Sequence, residues 1–328
     1  MIYIDNQNIH DPSVNLAIEE FILRYLDQNE TYLLFYINDP SIIIGKNQNT
    51  IEEINTDVVE RENIYVIRRL SGGGAVYHDR GNLNFSFITK DDGDNFHNFK
   101  RFTDPVVSAL RDMGVNAELS GRNDLMADGK KISGNAQFAS KGRMFSHGTL
   151  MFDSNIEDVV RALNVKMEKI ESKGIKSIRN RVANIKDYLD EPMTIEVFKE
   201  KILEGIYGGQ EVQEYRLTEK DWKIINDISN KRYKNWDWNY GRSPSSNIQH
   251  SHRFPVGQID VRLKVERGVI RSCKIYGDFF GVGEVSDIEE RLTGVKYAKA
   301  DIDKALNDIE VKHYFGDISK DDFIQLIY

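Results

Sequence analysis

The chain has 328 residues, 40% of them hydrophobic and 29% charged, which excludes disordered and fibrous classes and exceeds the size at which one core usually stops growing. Its 52 Asp and Glu against 44 Lys and Arg leave a net charge of −8, arguing against a general nucleic-acid binder. The sequence contains no run of ~18 apolar residues such as a membrane-spanning helix needs, and the start MIYIDNQNIHDPS is acidic and polar where a signal peptide needs basic and apolar segments. A cytoplasmic protein is expected. The lone cysteine, Cys273 in RSCKIY, makes no internal disulfide and reads as a half-buried strand residue.

In chain order, VNLAIEEFILRYL carries apolar residues at three- and four-residue steps after Pro12, the pattern of an amphipathic helix. YLLFYI (32–37) and SIIIG (41–45) read as strands, IEEINTDVVEREN as a helix, and YVIRR (65–69) as a strand. After a glycine-rich stretch, LNFSFIT (83–89) alternates as a strand, residues 99–113 form a helix ending at Gly114, and VNAELS is a strand. NDLMA, KKISGNAQF and MFSHGTLMF read as hairpin strands joined at Asp128-Gly129 and Lys141-Gly142. Helices then dominate to about residue 235. The polar stretch 241–252 is the linker candidate, and beyond it GQIDVRLKVE and VIRSCKIYGDFF form a hairpin followed by helices at 284–292 and 299–308. The fold class is α+β: a large domain (1–245) of mixed and antiparallel sheets flanked by helices, and a small α+β domain (246–328).

Chemistry concentrates in RRLSGGGAVYHDRGNLNF. Three consecutive glycines weaken a strand and mark a place where backbone turns or approaches a ligand closely, with amides able to cradle an anion. Arg68 and Arg69 precede them, and Ser71, His78 and Asn82 add polar groups. The loop is neither a P-loop nor a dinucleotide fingerprint, because no Gly-Lys-Ser/Thr ends it and a strand rather than a helix follows. A glycine-rich hairpin without a ligand is the plain alternative. In GRNDLMADGKKISGNAQF, alternation places Lys131, Ser133 and Asn135 on one face, where Lys131 is a fixed charge suited to a carboxylate and a phosphate as they react. Asn123 and Asp124 are candidates to hold magnesium beside nucleotide phosphates. FSHGTLMFD adds His147, Thr149 and Asp153. From Lys130 to Lys186 there are 12 basic against 5 acidic residues, an island suited to a nucleotide or an acidic partner.

The ordered segments RRLSGGGAVYHD, GRNDL, KKISGNAQ, SHGTLMFD and KGIKSIRNRVANI closely resemble the bacterial lipoate–protein ligase family. The resemblance runs from the first helix to about residue 245, where WNYG is similar to the end of that family's large domain. It implies a biotin/lipoate ligase-like fold and a two-step reaction: lipoate and ATP, with magnesium, give lipoyl-AMP and pyrophosphate, and the lipoyl group passes to a carrier lysine. The implied carriers are lipoyl domains of 2-oxoacid dehydrogenase acyltransferases or the glycine-cleavage H protein.

Carried over by position, Arg69, Ser71, Gly72, Gly73, Gly74 and His78 line the lipoate and adenylate site. Gly74, Ala75, Val76 and Tyr77 contact ATP, with Arg69. Asn82, Asn123 and Asp124 surround the phosphates and metal. Lys131 touches both the acyl carbonyl and the α-phosphate, and Thr149 and Leu150 lie by the nucleotide. Phe138 departs from the pattern, since some ligases carry a basic residue there. Ile42 to Ile44 and Val76 are expected to form the apolar slot, and 166–186 a lid that also steers an acidic carrier. The rival is an octanoyl or lipoyl transferase working without ATP through a cysteine thioester, against which residues 1–245 contain no cysteine. A biotin ligase lacks support because its Gly-Arg-Gly-Arg loop is missing, and a non-catalytic lipoyl binder has no use for Lys131 and Asp124.

Overall fold

The computed structural model describes residues 1–163, 181–241, 248–266 and 268–328. Its core is an eight-stranded sheet in the order β11-β1-β2-β6-β10-β9-β8-β7. The strands are β1 Ile2–Asp5, β2 Tyr32–Ile37, β6 Asn82–Lys90, β7 Ala117–Ser120, β8 Asp124–Ala127, β9 Lys130–Ser140, β10 Arg143–Met151 and β11 Gln213–Tyr215. β1 runs parallel to both its neighbours, and the other pairs are antiparallel. A small sheet, β4 (Tyr65–Arg68), β3 (Ser41–Ile44) and β5 (Val76–His78), stands beside it.

Each face of the large sheet is buried, so β6 reads as apolar on one side and polar but equally buried on the other. Leu83, Phe85 and Phe87 pack with helices Phe99–Asp112 and Ile195–Tyr207, while Asn84 and Ser86 lie under the opposite layer. That opposite layer is built on α1, Pro12–Tyr25, whose start is fixed by Pro12 in the first turn and by Asp11 accepting the Ser13 N–H. α1 buries Leu16, Ile18, Phe21 and Ile22 against the sheet together with Asn15, Glu19 and Glu20. Buried polar groups on a core face are costly unless partnered, and these lead into the site.

The third sheet, β12 (Ile248–Phe254), β13 (Gly257–Glu266) and β14 (Val269–Gly277), packs with the helices after it around its own core of Ile259, Ile275, Phe279, Phe315 and Phe323. The stretch expected as linker therefore includes strand β12 from Ile248 onward, held by β13; residues 242–247 lie outside the described residues. The expected helix at 51–63 is two helices, Thr50–Glu53 and Thr56–Arg61, because Ile54 bridges to Leu163 in extended conformation. Among the described residues no helix is long and apolar enough to cross a membrane.

Candidate active site

Between the large sheet and the small one lies a cavity of about 150 Å³. Its floor is a row across four strands. Tyr36 on β2 pairs with Asn84 on β6, Asn84 with Thr149 on β10, and the Thr149 hydroxyl accepts the Gly134 N–H of β9 at 3.1 Å. Its roof is the glycine loop joining β4 to β5, and Leu16 of α1 and Ile43 of β3 close the apolar end. Gly73, at φ +92°, and Gly74 both line it. The loop must be this bare: a Cβ on Gly45 would stand 1.8 Å from the Gly73 carbonyl oxygen.

The two arginines divide their labour. Arg68, the first of the two before the glycines, is fully buried and lies off the cavity wall. It donates to the carbonyls of Gly45, Lys46, Gln48 and Trp238 at 2.6–3.0 Å and to the Thr50 hydroxyl at 2.7 Å. Arg69 lines the cavity and threads the loop, donating to the carbonyls of Ile43, Gly72 and Gly74 and to the Ser71 hydroxyl. Those bonds commit the Gly72 and Gly74 carbonyls to Arg69. Burial lowers the Arg69 guanidinium to about 10, still protonated at neutral pH.

Lys131 reaches the opposite wall, with its ammonium 2.8 Å from Asp124 Oδ1. The alternation read from sequence fails here for a definite reason. A register shift pairs Leu125 with Ser133 but Met126 with Lys131, an irregularity that leaves Ile132 out of the ladder. The ammonium consequently lies over Gly134, 3.2 Å from where a Cβ would stand, and not with Ser133 and Asn135. Residues 181–183 hold the Lys131 backbone, the Arg181 carbonyl accepting its N–H and its carbonyl accepting from Ala183. Among the described residues no group of three carboxylates, histidines or cysteines would hold a metal unaided. Asp124 with the Asn123 amide nearby is the donor set magnesium accepts when phosphates complete its shell.

A buried network missed in the sequence lies behind the loop. His147 Nδ1 is 2.9 Å from Glu19 Oε1 and Nε2 is 2.7 Å from Ser71 Oγ, which also accepts from Arg69 at 3.0 Å. It resembles a Ser-His-Glu triad, but Ser71 is fully buried and does not line the cavity, so it is no accessible nucleophile. Glu19 could have been flagged only as a carboxylate on the apolar face of α1.

Of the expected residues, Arg69, Gly73, Gly74, Ala75, Val76 and His78 line the cavity, as do Asn123, Lys131 and Thr149. Ser71 and Gly72 stand behind the loop. Tyr77, Asn82 and Leu150 also lie off the wall: Tyr77 packs toward the small-sheet core, Asn82 donates to Asn84, and Leu150 faces the opposite layer. Of Ile42 to Ile44 only Ile43 faces the slot, because strand alternation turns the other two into a separate core. Lys186 pairs with Asp153 and Arg143 anchors the carbonyls of Gln28 and Glu30, so these members of the basic island make no single patch. Residues 166–180 of the expected lid at 166–186 lie outside the described residues.

Phe280 also lines the cavity from the C-terminal unit, its ring 2.8 Å from where a Gly73 Cβ would stand. The Arg122 guanidinium stacks over that ring at 4.3 Å from its centroid, and the Gly277 N–H donates to the Asn47 carbonyl. No local signal ties residue 280 to residue 73.

Two predictions arise here. Gly148→Ala places a Cβ 2.1 Å from Asn135 Oδ1 and 2.6 Å from the Phe85 ring, displacing the floor beside Thr149; a stability loss of about 2 kcal/mol is expected in denaturant melts, and an unchanged midpoint would contradict the packing. The second concerns His78, lowered from 6.5 to about 3 by burial first and then by Arg69 and His147. Between those values the unfolded chain binds a proton there that the folded chain does not. This contribution is therefore intact above pH 6.5 and declines as pH falls toward 3. Melts of wild type and His78→Gln from pH 7 to 4 test it: the wild type should lose more stability on acidification, and parallel curves would refute the assignment.

A glycine loop facing a strand-held lysine across a narrow cavity with polar and apolar walls defines a ligand-binding site on a mixed sheet. Residues 11–207 match the lipoyl protein ligase A/B catalytic domain family and residues 243–327 the bacterial lipoate protein ligase C-terminus family. The chain is 65% identical over its whole length, and that of the relative, to lipoate-protein ligase LplJ of Bacillus subtilis (strain 168). A solved bipartite lipoate protein ligase from Thermoplasma acidophilum, described with its E2 lipoyl domain, is 30% identical with TM-score 0.67 over 75% of this chain and 98% of its own. A solved lipoate-protein ligase A bound with ATP is 30% identical with TM-score 0.62 over 74% and 97%. The chain belongs to the lipoate–protein ligase family.

Proposed function

We propose that this protein joins lipoate to carrier proteins in two steps at this one cavity. A lipoate carboxylate oxygen attacks the α-phosphorus of ATP, the bond to the bridging oxygen of pyrophosphate breaks, and lipoyl-AMP forms. A carrier lysine, having shed its proton, then attacks the acyl carbon and AMP departs. The observation that carries this reading is the facing pair: the Lys131 ammonium and the Gly73–Gly74 backbone on the walls of one cavity that the apolar side chains of Leu16, Ile43 and Val76 also line. An ammonium held there offsets charge developing on the α-phosphate and the acyl oxygen, and a low-dielectric surrounding strengthens it. Asp124 with Asn123 would hold magnesium, which when bound would neutralise phosphate charge.

Several relatives support the substrates: one is named a lipoate-protein ligase, one is solved with ATP, and one is paired with an E2 lipoyl domain. We take lipoyl domains of 2-oxoacid dehydrogenases and the glycine-cleavage H protein as the carriers and the cytoplasm as the location. The ATP-independent transferase needs a nucleophile this cavity does not offer. The sole cysteine, Cys273, is buried in β14 and its thiol is pushed up by burial, while Ser71 sits behind the wall. Incubating a purified apo lipoyl domain with the protein, lipoate, magnesium and ATP should add one lipoyl mass on its lysine by mass spectrometry. A gain without ATP when an acylated carrier protein replaces free lipoate, with none from free lipoate and ATP, would favour the transferase.

A further inference from the structure

His78 Nε2 is a buried atom on the cavity wall with no hydrogen-bond partner among the described residues. Its other ring nitrogen, Nδ1, is 3.0 Å from Asn38 Nδ2. Behind Asn38 stand two more asparagines: Asn15 Nδ2 donates to Asn38 Oδ1 at 2.9 Å, and Asn6 Nδ2 donates to Asn15 Oδ1 at 2.9 Å. Backbone groups fix the direction of this chain. The Ile9 carbonyl accepts from both Asn6 and Asn15, and the Asn8 N–H donates to Asn6 Oδ1, so neither amide can be turned over. With its oxygen committed to Asn15, Asn38 must present an N–H to Nδ1. Nδ1 is then the acceptor, and the proton of a neutral ring resides on Nε2, facing the cavity. Aligned donors in a buried chain polarise one another and hold that ring still.

The row across the floor says which part of the ligand meets this donor. Gly134, under the Lys131 ammonium, is three strands from Tyr36, about 14 Å at ordinary sheet spacing. Asn38 follows the end of β2, two positions after Tyr36, and His78 pairs with Ser41 on β3, so the imidazole belongs to the end far from Lys131. A carboxylate held at Lys131 sends an extended octanoid chain to that end. There lipoate carries dithiolane sulfurs, which accept weak hydrogen bonds, whereas octanoate carries a methyl group.

Resting on the ligase reading above, we propose that Asn38, backed by Asn15 and Asn6, positions His78 so that its Nε2–H donates to a dithiolane sulfur and selects lipoate over octanoate. Over a methyl group the same buried donor has nothing to meet, which penalises the simple fatty acid. Asn38 is a positioning residue, and His78 the group that touches substrate.

The test has two independent arms, both on the full chain. Nitrogen-15 NMR of the wild type without ligand should show His78 protonated at Nε2 and bare at Nδ1; a proton on Nδ1 overturns the proposal. Asn38→Asp, whose carboxylate accepts from Nδ1–H, should move that proton. It should also lower kcat/KM for lipoate in ATP–pyrophosphate exchange about tenfold more than kcat/KM for octanoate. His78→Gln, which keeps an N–H donor, should retain more of the selectivity, and it serves alone should Asn38→Asp not fold. Equal losses on the two acids in Asn38→Asp, or selectivity abolished in His78→Gln, would refute it. Wild type that exchanges with neither acid would instead overturn the ligase reading, while the NMR arm still reports the asparagine chain.

Discussion

Lys131→Ala is expected to lower lipoyl-AMP formation by at least about 100-fold, the usual consequence of removing one preorganised charge from a developing phosphate or acyl oxygen. The ammonium stands on the cavity wall over Gly134, and the irregular register at Ile132 sets it there. The fold should not suffer. The Lys131–Asp124 pair is 38% exposed on each side, and half-exposed ion pairs add little stability. Quantifying the adenylate chromatographically alongside a thermal melt separates the two effects. A variant that melts like wild type and still forms adenylate at near wild-type rate would remove Lys131 from the chemistry.

Arg68→Ala should be the most destabilising single change at the site, although Arg68 touches no cavity wall. Its guanidinium is the shared donor for five backbone carbonyls and the Thr50 hydroxyl, tying the 45–50 loop to Trp238 and Asn239. Removing a buried group that satisfies so many acceptors costs about 4 kcal/mol. For a domain of this size the melting temperature should fall by about 10 °C. Gly45, one of its acceptors, is the residue pressed against Gly73, so the glycine loop should loosen as well. Differential scanning calorimetry checks this, and an unmoved transition would mean that Arg68 is not the clamp its bonds describe.

What the sequence disclosed was whatever neighbouring residues decide. The 32–37, 41–45 and 83–89 strands, the helix after Pro12 and the hairpin turns follow from local periodicity and from Asp128 and Lys141 at positive φ. The glycine loop, Arg69, His78 and Lys131 were legible because their chemistry is unusual in a folded segment. What stayed hidden depends on partners distant in the chain. β1, β5 and β11 are three- or four-residue strands that exist only because a neighbour supplies their hydrogen bonds. Asn15 looks like a solvent position of a helix until the sheet covers it, and nothing near Glu19 in the chain announces His147 as its partner. The displacement of Lys131 onto the Gly134 face comes from a bulge that alternation cannot foresee. Phe280 reaches Gly73 across about two hundred residues, beyond any periodic signal.

In the reaction proposed above, a lipoate carboxylate and the α-phosphate of ATP meet between the glycine loop and Lys131. Exchange of labelled pyrophosphate into ATP, measured on the wild type without any carrier protein, addresses it most directly. Exchange that appears only when lipoate is added, and disappears in Lys131→Ala, is the predicted result. Absence of exchange with lipoate and magnesium-ATP present, under conditions where a lipoyl domain still becomes modified, would contradict it.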